Sequence, residues 1–335
     1  MQAAIYGLSG ERLTPDERAF FHEADPAGYI LFRRNCLDRE QLRALTDSLR
    51  DIHGREDLPI LIDQEGGRVA RMRPPVWPEF PCAGRFAELY AKAPMSAIEA
   101  ARANAQAIAV TLREVGINVD CLPLLDVRQP GAHDIIGDRA LGEEPMQVAA
   151  LGRAVLDGLR AGGVVGVVKH MPGHGRSLAD SHKELPIVSA SEEELETDIE
   201  PFRTLAGAPM GMTSHVVYTV WDRERPASLS DAIISGIIRG RIGFDGFLMS
   251  DDLGMHALSG GFDARGHGVV EAGCDAALHC SGAMEEMVAV ASAVPQLSGE
   301  GRERLQRAMA TVRGGGNVPS YEALADKRDR LLALA

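Results

Sequence analysis

The sequence predicts an α/β chain folded as a single (β/α)8 barrel of the TIM type. Three observations lead there. Eight short apolar runs, rich in β-branched residues, recur along the 335 residues. Most are followed by amphipathic helical sequence, and polar residues collect where the runs end. Several runs are apolar on both faces, as parallel strands buried between a barrel interior and a coat of helices should be. The length suits one such barrel, which typically needs about 250 residues and more with insertions.

The predicted strands are Ala3–Leu8, Gly28–Phe32, Pro59–Ile62, Asn118–Leu122, Gly166–Lys169, Met210–Ser214, Gly246–Ser250 and Ala276–His279. Helix starts support the alternation. Thr14-Pro15-Asp16-Glu17 is a capping box with Pro at the first helical position. Ser191-Glu192-Glu193-Glu194 is a second, its acids placed where the helix dipole favours them. Ser96–Val115 and Glu143–Ala161 read as long helices, and the segment from about 283 to 335 reads as a helical tail broken at Gly314-Gly315-Gly316. No repeat, low-complexity stretch or linker interrupts the pattern. Residues 1–335 are therefore expected to form one domain, with a doubly wound open sheet as the structural alternative.

Composition narrows the function. Apolar residues make up 45% and charged residues 25%, an ordinary globular mixture. The formal charge of −13 disfavours nucleic acid and anionic membranes as partners, because phosphate neutralisation needs clustered Lys and Arg. The N-terminus has no basic and apolar signal-peptide pattern, and no apolar run approaches the ~20 residues of a membrane span. Five scattered cysteines without a CxxC fit free thiols in a reducing compartment, so a cytoplasmic location is expected.

In a barrel, chemistry gathers at the C-terminal strand ends. Asp63-Gln64-Glu65-Gly66-Gly67-Arg68, Lys169-His170, Ser214-His215 and Ser250-Asp251-Asp252 all fall there. Any one of them is more simply a loop residue that caps the next helix; together they favour a functional rim. The richest segment runs from Lys169 to His182, with three His, one Lys, one Arg and one Asp in fourteen residues. Asp180 and His182 lie two apart, close enough for a carboxylate to orient an imidazole that gives and takes a proton near neutral pH. A metal site at His170, His174 and His215 is a second reading. Pro172 and Gly173 argue against a zinc-binding helix there, and no H-E-x-x-H occurs. Gly173-x-Gly175 lacks the third Gly of a dinucleotide fingerprint, and no phosphate-binding P-loop is present. Neither a metal nor another cofactor is expected.

Lys169-His170-Met171-Pro172-Gly173-His174-Gly175, then Asp180-Ser181-His182, then Ser250-Asp251-Asp252-Leu253-Gly254-Met255 resemble glycoside hydrolase family 3. The resemblance is strongest to its bacterial β-N-acetylglucosaminidase branch, which works in peptidoglycan recycling. Asp63-Gln64-Glu65-Gly66-Gly67-Arg68-Val69-x-Arg71 and Ile136-Gly137-Asp138-Arg139 match further motifs of that branch. The resemblance implies a retaining β-glycosidase working through a covalent glycosyl-enzyme, with Asp251 as nucleophile and His182 as acid/base assisted by Asp180. Asp63, Arg71, Arg139, Lys169 and His170 fall on its sugar-binding positions. It implies muropeptide fragments as substrate and a monomeric single barrel. Many members carry a second domain that supplies the acid/base; the short remainder of this chain fits the His182 assignment instead. The chain departs from the branch at Arg176-Ser177, where Asp-Thr is usual, and at Met171, where Phe is common.

Most retaining glycosidases use two carboxyl groups. A neutral imidazole base repels an anionic acceptor less than a carboxylate does, which opens the way to phosphorolysis. The alternatives are therefore a related β-glucosidase, an N-acetylglucosamine phosphorylase, a metal-dependent TIM-barrel hydrolase and a non-catalytic sugar-binding barrel. A substrate-assisted mechanism is a further rival that adjacent Asp251 and Asp252 could serve. Neighbours on a strand end are expected to point to opposite sides, so one pocket should see only one of the two.

Overall fold

The computed structural model describes residues 1–181, 183–312 and 318–335. The strands are β1 (Gln2–Gly7), β2 (Pro26–Leu31), β3 (Ile60–Ile62), β4 (Val119–Asp120), β5 (Val165–Met171), β6 (Ile187–Val188), β7 (Met210–Thr213), β8 (Val217–Tyr218), β9 (Phe247–Asp252) and β10 (Ala276–His279). Eight of them close a barrel in the order β1, β10, β9, β7, β5, β4, β3, β2, every pair parallel. This is the predicted (β/α)8 architecture. The remaining two, β6 and β8, form a small parallel pair beside it.

The differences from the predicted strands have local causes. The observed β4 stops short of Leu122 where the Leu122 N–H turns back on Asp120 O at 2.8 Å, while at its start Asn118 adds a side-chain bond, its Oδ1 accepting from Ile60 N at 2.8 Å. Both β5 and β9 run further than expected, through His170-Met171 and through Asp251-Asp252. These polar residues thus sit on the barrel wall itself. The ladder shifts register there, between Val168 and Met171 against β7 and between Ala276 and Leu278 against β9. Such irregularities commonly re-aim side chains next to a site.

The helices are α1 (Pro15–Ala24), α2 (Arg39–His53), α3 (Ala83–Lys92), α4 (Pro94–Glu114), α5 (Pro145–Ala161), α6 (Glu192–Thr204), α7 (Phe262–Glu271), α8 (Met284–Ala293), α9 (Gly299–Ala310) and α10 (Tyr321–Leu332), with a π-helical segment at Ala232–Arg241. Both predicted capping boxes are formed. Thr14 accepts from Glu17 N at 3.1 Å and Ser191 from Glu194 N at 3.3 Å, with each Glu carboxylate reaching back to the cap. The helical tail resolves into α8, α9 and α10; Gly314, Gly315 and Gly316 lie outside the described residues.

Two helices of the coat approach unusually closely. The face of α4 is built from alanines, and a Cβ on Gly158 of α5 would stand 2.3 Å from the carbonyl oxygen of Arg102. Arg328 of α10 is buried and donates to Asn104 of α4 at 3.1 Å, which ties the tail to the barrel.

Candidate active site

At the C-terminal mouth of the barrel a cavity of about 240 Å³ is lined by Asp63, Glu65, Arg71, Arg139, Lys169, His170, Asp251 and their neighbours. A larger one of about 1030 Å³ adjoins it, sharing Arg68 and Ile135, and Asp180 lines this second space. The inner cavity is smaller than the roughly 300–1,000 Å³ typical of sites for drug-sized ligands, which matches one monosaccharide ring better than an oligosaccharide.

The chain leaving β3 builds one side. Gln64 is buried, and its amide closes the loop by donating to Met72 O at 2.9 Å and accepting from Arg71 N and Met72 N. Positive φ at Gly66 (94°) and Gly67 (56°) lets the backbone turn back within this short span. Arg71 is thereby returned over Asp63, which it meets at 3.0 Å, while its guanidinium lies 5.0 Å from the Phe32 ring centroid.

From β5 comes Lys169, only 2% exposed, with its Nζ 2.9 Å from Asp63 and 2.8 Å from Glu65. Arg139 grips Glu65 through Nε and Nη2, both at 2.8 Å. Burial would raise the Asp63 and Glu65 pKa values, but the cations outweigh it. Glu65 is held at about 2 by Lys169 and Arg139, and Asp63 lies well below the usual carboxylate range because of Lys169 and Arg71. Burial opposes the Lys169 charge, yet the two carboxylates raise its pKa above the ordinary value. All these groups are ionised at neutral pH.

Asp126, fully buried behind β5, orients the histidines. Its Oδ2 lies 2.8 Å from His170 Nδ1, and its Oδ1 accepts from the backbone N of His170 (3.2 Å) and His174 (2.7 Å). His174 is buried and its Nδ1 has no partner; burial, reinforced by His170, lowers its pKa to about 4, so it stays neutral.

On β9, Ser250 braces the strand end by donating to Asp251 O and accepting from Leu278 N. Asp251 Oδ1 accepts from Asp252 N at 2.8 Å. Asp252 Oδ1 accepts from Gly254 N and Cys280 N. Both acids line the inner cavity, which corrects the expectation that only one would. The register shift against β10 breaks the simple alternation of sides. His215 uses both ring nitrogens, on Ser228 Oγ (2.6 Å) and Asp252 O (3.0 Å), which leaves none for a metal. Among the described residues no group of three or more His, Cys, Asp or Glu is arranged to hold one.

Of the residues singled out in the sequence, Asp63, Arg71, Arg139, Lys169, His170 and Asp251 are brought together in the inner cavity, and Asp180 stands in the adjoining one. His182 lies outside the described residues. Residues 8–329 match the Glycosyl hydrolase family 3 N terminal domain. The chain belongs to glycosyl hydrolase family 3.

Within family 3, a β-hexosaminidase of Alkalilimnicola ehrlichii is 39% identical over 282 residues, covering 83% of this chain and 80% of that protein. The structure of NagZ from Neisseria gonorrhoeae, in complex with N-trifluoroacetyl-D-glucosamine, superposes with a TM-score of 0.87 at 30% identity over 100% of this chain and 98% of that one. A family 3 β-N-acetylglucosaminidase from Paenibacillus superposes at 0.86, also at 30% identity, over 98% of this chain and 66% of the other. The family 3 barrel here also contains site residues that sequence reasoning did not single out, Glu65, Asp126 and Phe32, and it brings in Asp252, which the sequence offered only for a substrate-assisted route. Glu65 and Asp252 stood inside the quoted motifs, and the pairing of two acids with three basic residues was a usable signal. Nothing in the sequence marked Asp126, which follows β4 by several residues.

Proposed function

We propose that this family 3 glycosidase is a retaining exo-β-N-acetylglucosaminidase that releases terminal N-acetylglucosamine from peptidoglycan fragments, the disaccharide with 1,6-anhydro-N-acetylmuramic acid with or without its peptide. The observation that carries the reading is Asp251 lining a one-ring cavity together with the ionised Asp63, Glu65, Arg139 and Lys169. Charged partners for sugar hydroxyls reject a wrong sugar, because they are then left buried and unmatched. The larger adjoining cavity suits the leaving group, and Asp180 on its wall fits a role beside the departing oxygen.

In the proposed reaction the Asp251 carboxylate attacks the anomeric carbon while protonated His182, assisted by Asp180, donates to the glycosidic oxygen. The C–O bond breaks and a glycosyl ester forms. Neutral His182 then takes a proton from water, whose oxygen displaces Asp251 with overall retention. Asp63, Arg71, Arg139, Lys169 and His170 hold the ring. We place the protein in the cytoplasm as a monomer whose whole chain forms one barrel domain; no helix among the described residues is long and apolar enough to cross a membrane.

The test compares a chromogenic β-N-acetylglucosaminide with the β-glucoside in wild type and Asp251→Ala. Selective cleavage by wild type and its loss in the variant are expected. Cleavage of neither substrate, or full rate in the variant, overturns the reading. Trapping with a 2-fluoro sugar should label Asp251 by mass mapping; a site that turns over and is never labelled would point to the substrate-assisted route.

A further inference from the structure

Five ionised side chains form one alternating chain across the floor of the site: Arg71, Asp63, Lys169, Glu65, Arg139. Asp63 and the two terminal arginines retain exposure toward the cavity, whereas the Glu65 side chain is 4% exposed. Its oxygens are already committed: Oε1 takes Lys169 Nζ and Arg139 Nη2, and Oε2 takes Arg139 Nε, each at 2.8 Å. We infer that Glu65 is a positioning residue, fixing Arg139 and Lys169 in the arrangement that meets the sugar without touching the sugar itself. This rests on the sugar-binding reading of the cavity.

The geometry of Arg139 gives the inference its content. A guanidinium has five N–H donors in a rigid fork. Two are spent on Glu65 and a third goes from Nη1 to Ile135 O at 3.0 Å. The fork is therefore pinned at both ends, leaving one N–H on each terminal nitrogen for a ligand. A carboxylate gripped along Nε and Nη2 sets the plane of the group, which a backbone carbonyl alone does not. Glu65 also lies between Lys169 and Arg139, two cations of the same cavity wall. With three cations and two carboxylates the chain carries +1. Neutralising Glu65 makes it +2 and leaves Arg139 without a carboxylate partner in the chain. Two consequences follow together: the fork swings away from its preset plane, and acids facing the cavity ionise at lower pH because the local potential is more positive.

The experiment uses the full chain with Glu65→Gln and Glu65→Asp, assayed on the chromogenic β-N-acetylglucosaminide across pH. For the Gln variant KM should rise about tenfold or more, as loss of a charge-assisted hydrogen bond in a buried site dictates. The kcat should fall less than KM rises, and the acid limb of kcat/KM should move down. A merely structural role lowers the active fraction equally at every pH and leaves the limb in place. A wild-type KM with an unmoved limb overturns the inference. If the Gln variant fails to fold, the Asp variant decides: its carboxylate keeps the charge and loses reach, so a raised KM with the limb retained supports the inference and a wild-type KM overturns it. If wild type leaves the substrate uncleaved, the functional reading fails separately. Calorimetric titration of N-acetylglucosamine into wild type and variant then tests Glu65 alone; equal affinity, or no binding by either, overturns it.

Discussion

Replacing Lys169 by Met removes the cation at the centre of the charge chain while keeping its aliphatic bulk. Lys169 is 2% exposed and touches Asp63 and Glu65 at 2.9 and 2.8 Å. Breaking a buried ion pair by deleting one partner costs about 3–5 kcal/mol, because the remaining charge stays buried. Lys169 and Arg139 together bring the Glu65 pKa from 4.5 down to about 2 against the rise that burial causes, so losing Lys169 moves it back up. An unfolding entropy of about 2.1 cal/mol/K per residue gives roughly 0.7 kcal/mol/K for 335 residues. The expected fall in Tm at neutral pH is therefore about 4–7 °C. The pH dependence has a definite sign. Folded-state values of Asp63 and Glu65 lie below their unfolded values, so the stability they supply is full above pH about 4.5 and lost as pH falls toward 2. In the variant the two acids lose their main cation and take up protons at higher pH. The deficit against wild type should thus be largest near pH 7.5 and shrink below pH about 5. Thermal unfolding followed by circular dichroism at several pH values reads both quantities. A deficit under about 1 °C, or one that grows on acidification, refutes the electrostatic account.

Phe32→Ala should raise KM about two- to fivefold with little change in kcat, since the Arg71 guanidinium loses a cation–π contact of about 0.5–1 kcal/mol; an unchanged KM would show that Arg71 is held by Asp63 alone. Gly158→Ala should cost about 1–3 kcal/mol, because the new methyl meets the Arg102 carbonyl and must push α5 away from α4; a variant as stable as wild type would mean that the two helices separate freely. In phosphate buffer the released product should remain the free sugar, checked by chromatography and phosphorus NMR; accumulation of sugar 1-phosphate would replace hydrolysis by phosphorolysis.

The barrel was legible because its signals are local. All eight predicted barrel runs correspond to strands, and both capping boxes formed where Thr14 and Ser191 stood. Strand ends were less legible, for a physical reason. Past Asp120 the Leu122 N–H turns back on Asp120 O and β4 ends, while at His170 and Asp251 the ladder continues under polar residues that look like loop. The residues proposed to bind sugar were picked out through their motifs and line one cavity, whereas Asp126 was not picked out. It acts from a different strand end, through space, on His170 and on the backbone of His174. Arg176, a departure from the family pattern, has a clear structural outcome: it meets buried Asp198 of α6 at 2.5 Å and donates to Glu194 O at 2.8 Å. The loop base is thereby fastened to the helix coat.

Asp251 and Asp252 show why adjacency in sequence does not make two acids equivalent. Both reach the inner cavity. The Asp252 carboxylate, however, receives N–H groups from Gly254 in its own loop and from Cys280 just beyond β10, so one of its oxygens is occupied in joining two strand ends. Its carbonyl takes the His215 ring, and burial lowers the pKa of that histidine, which keeps the contact a neutral hydrogen bond. A nucleophile must present an oxygen to an incoming carbon without first breaking the contacts that define the strand end. Asp252 Oδ1 is committed to those contacts, so an attack by this acid would have to use Oδ2. Asp251 Oδ1 accepts from the N–H of the next residue on the same wall. Asp252 is thus tied into the junction of two strand ends, and the proposed nucleophile is Asp251, the acid on which the family motif falls.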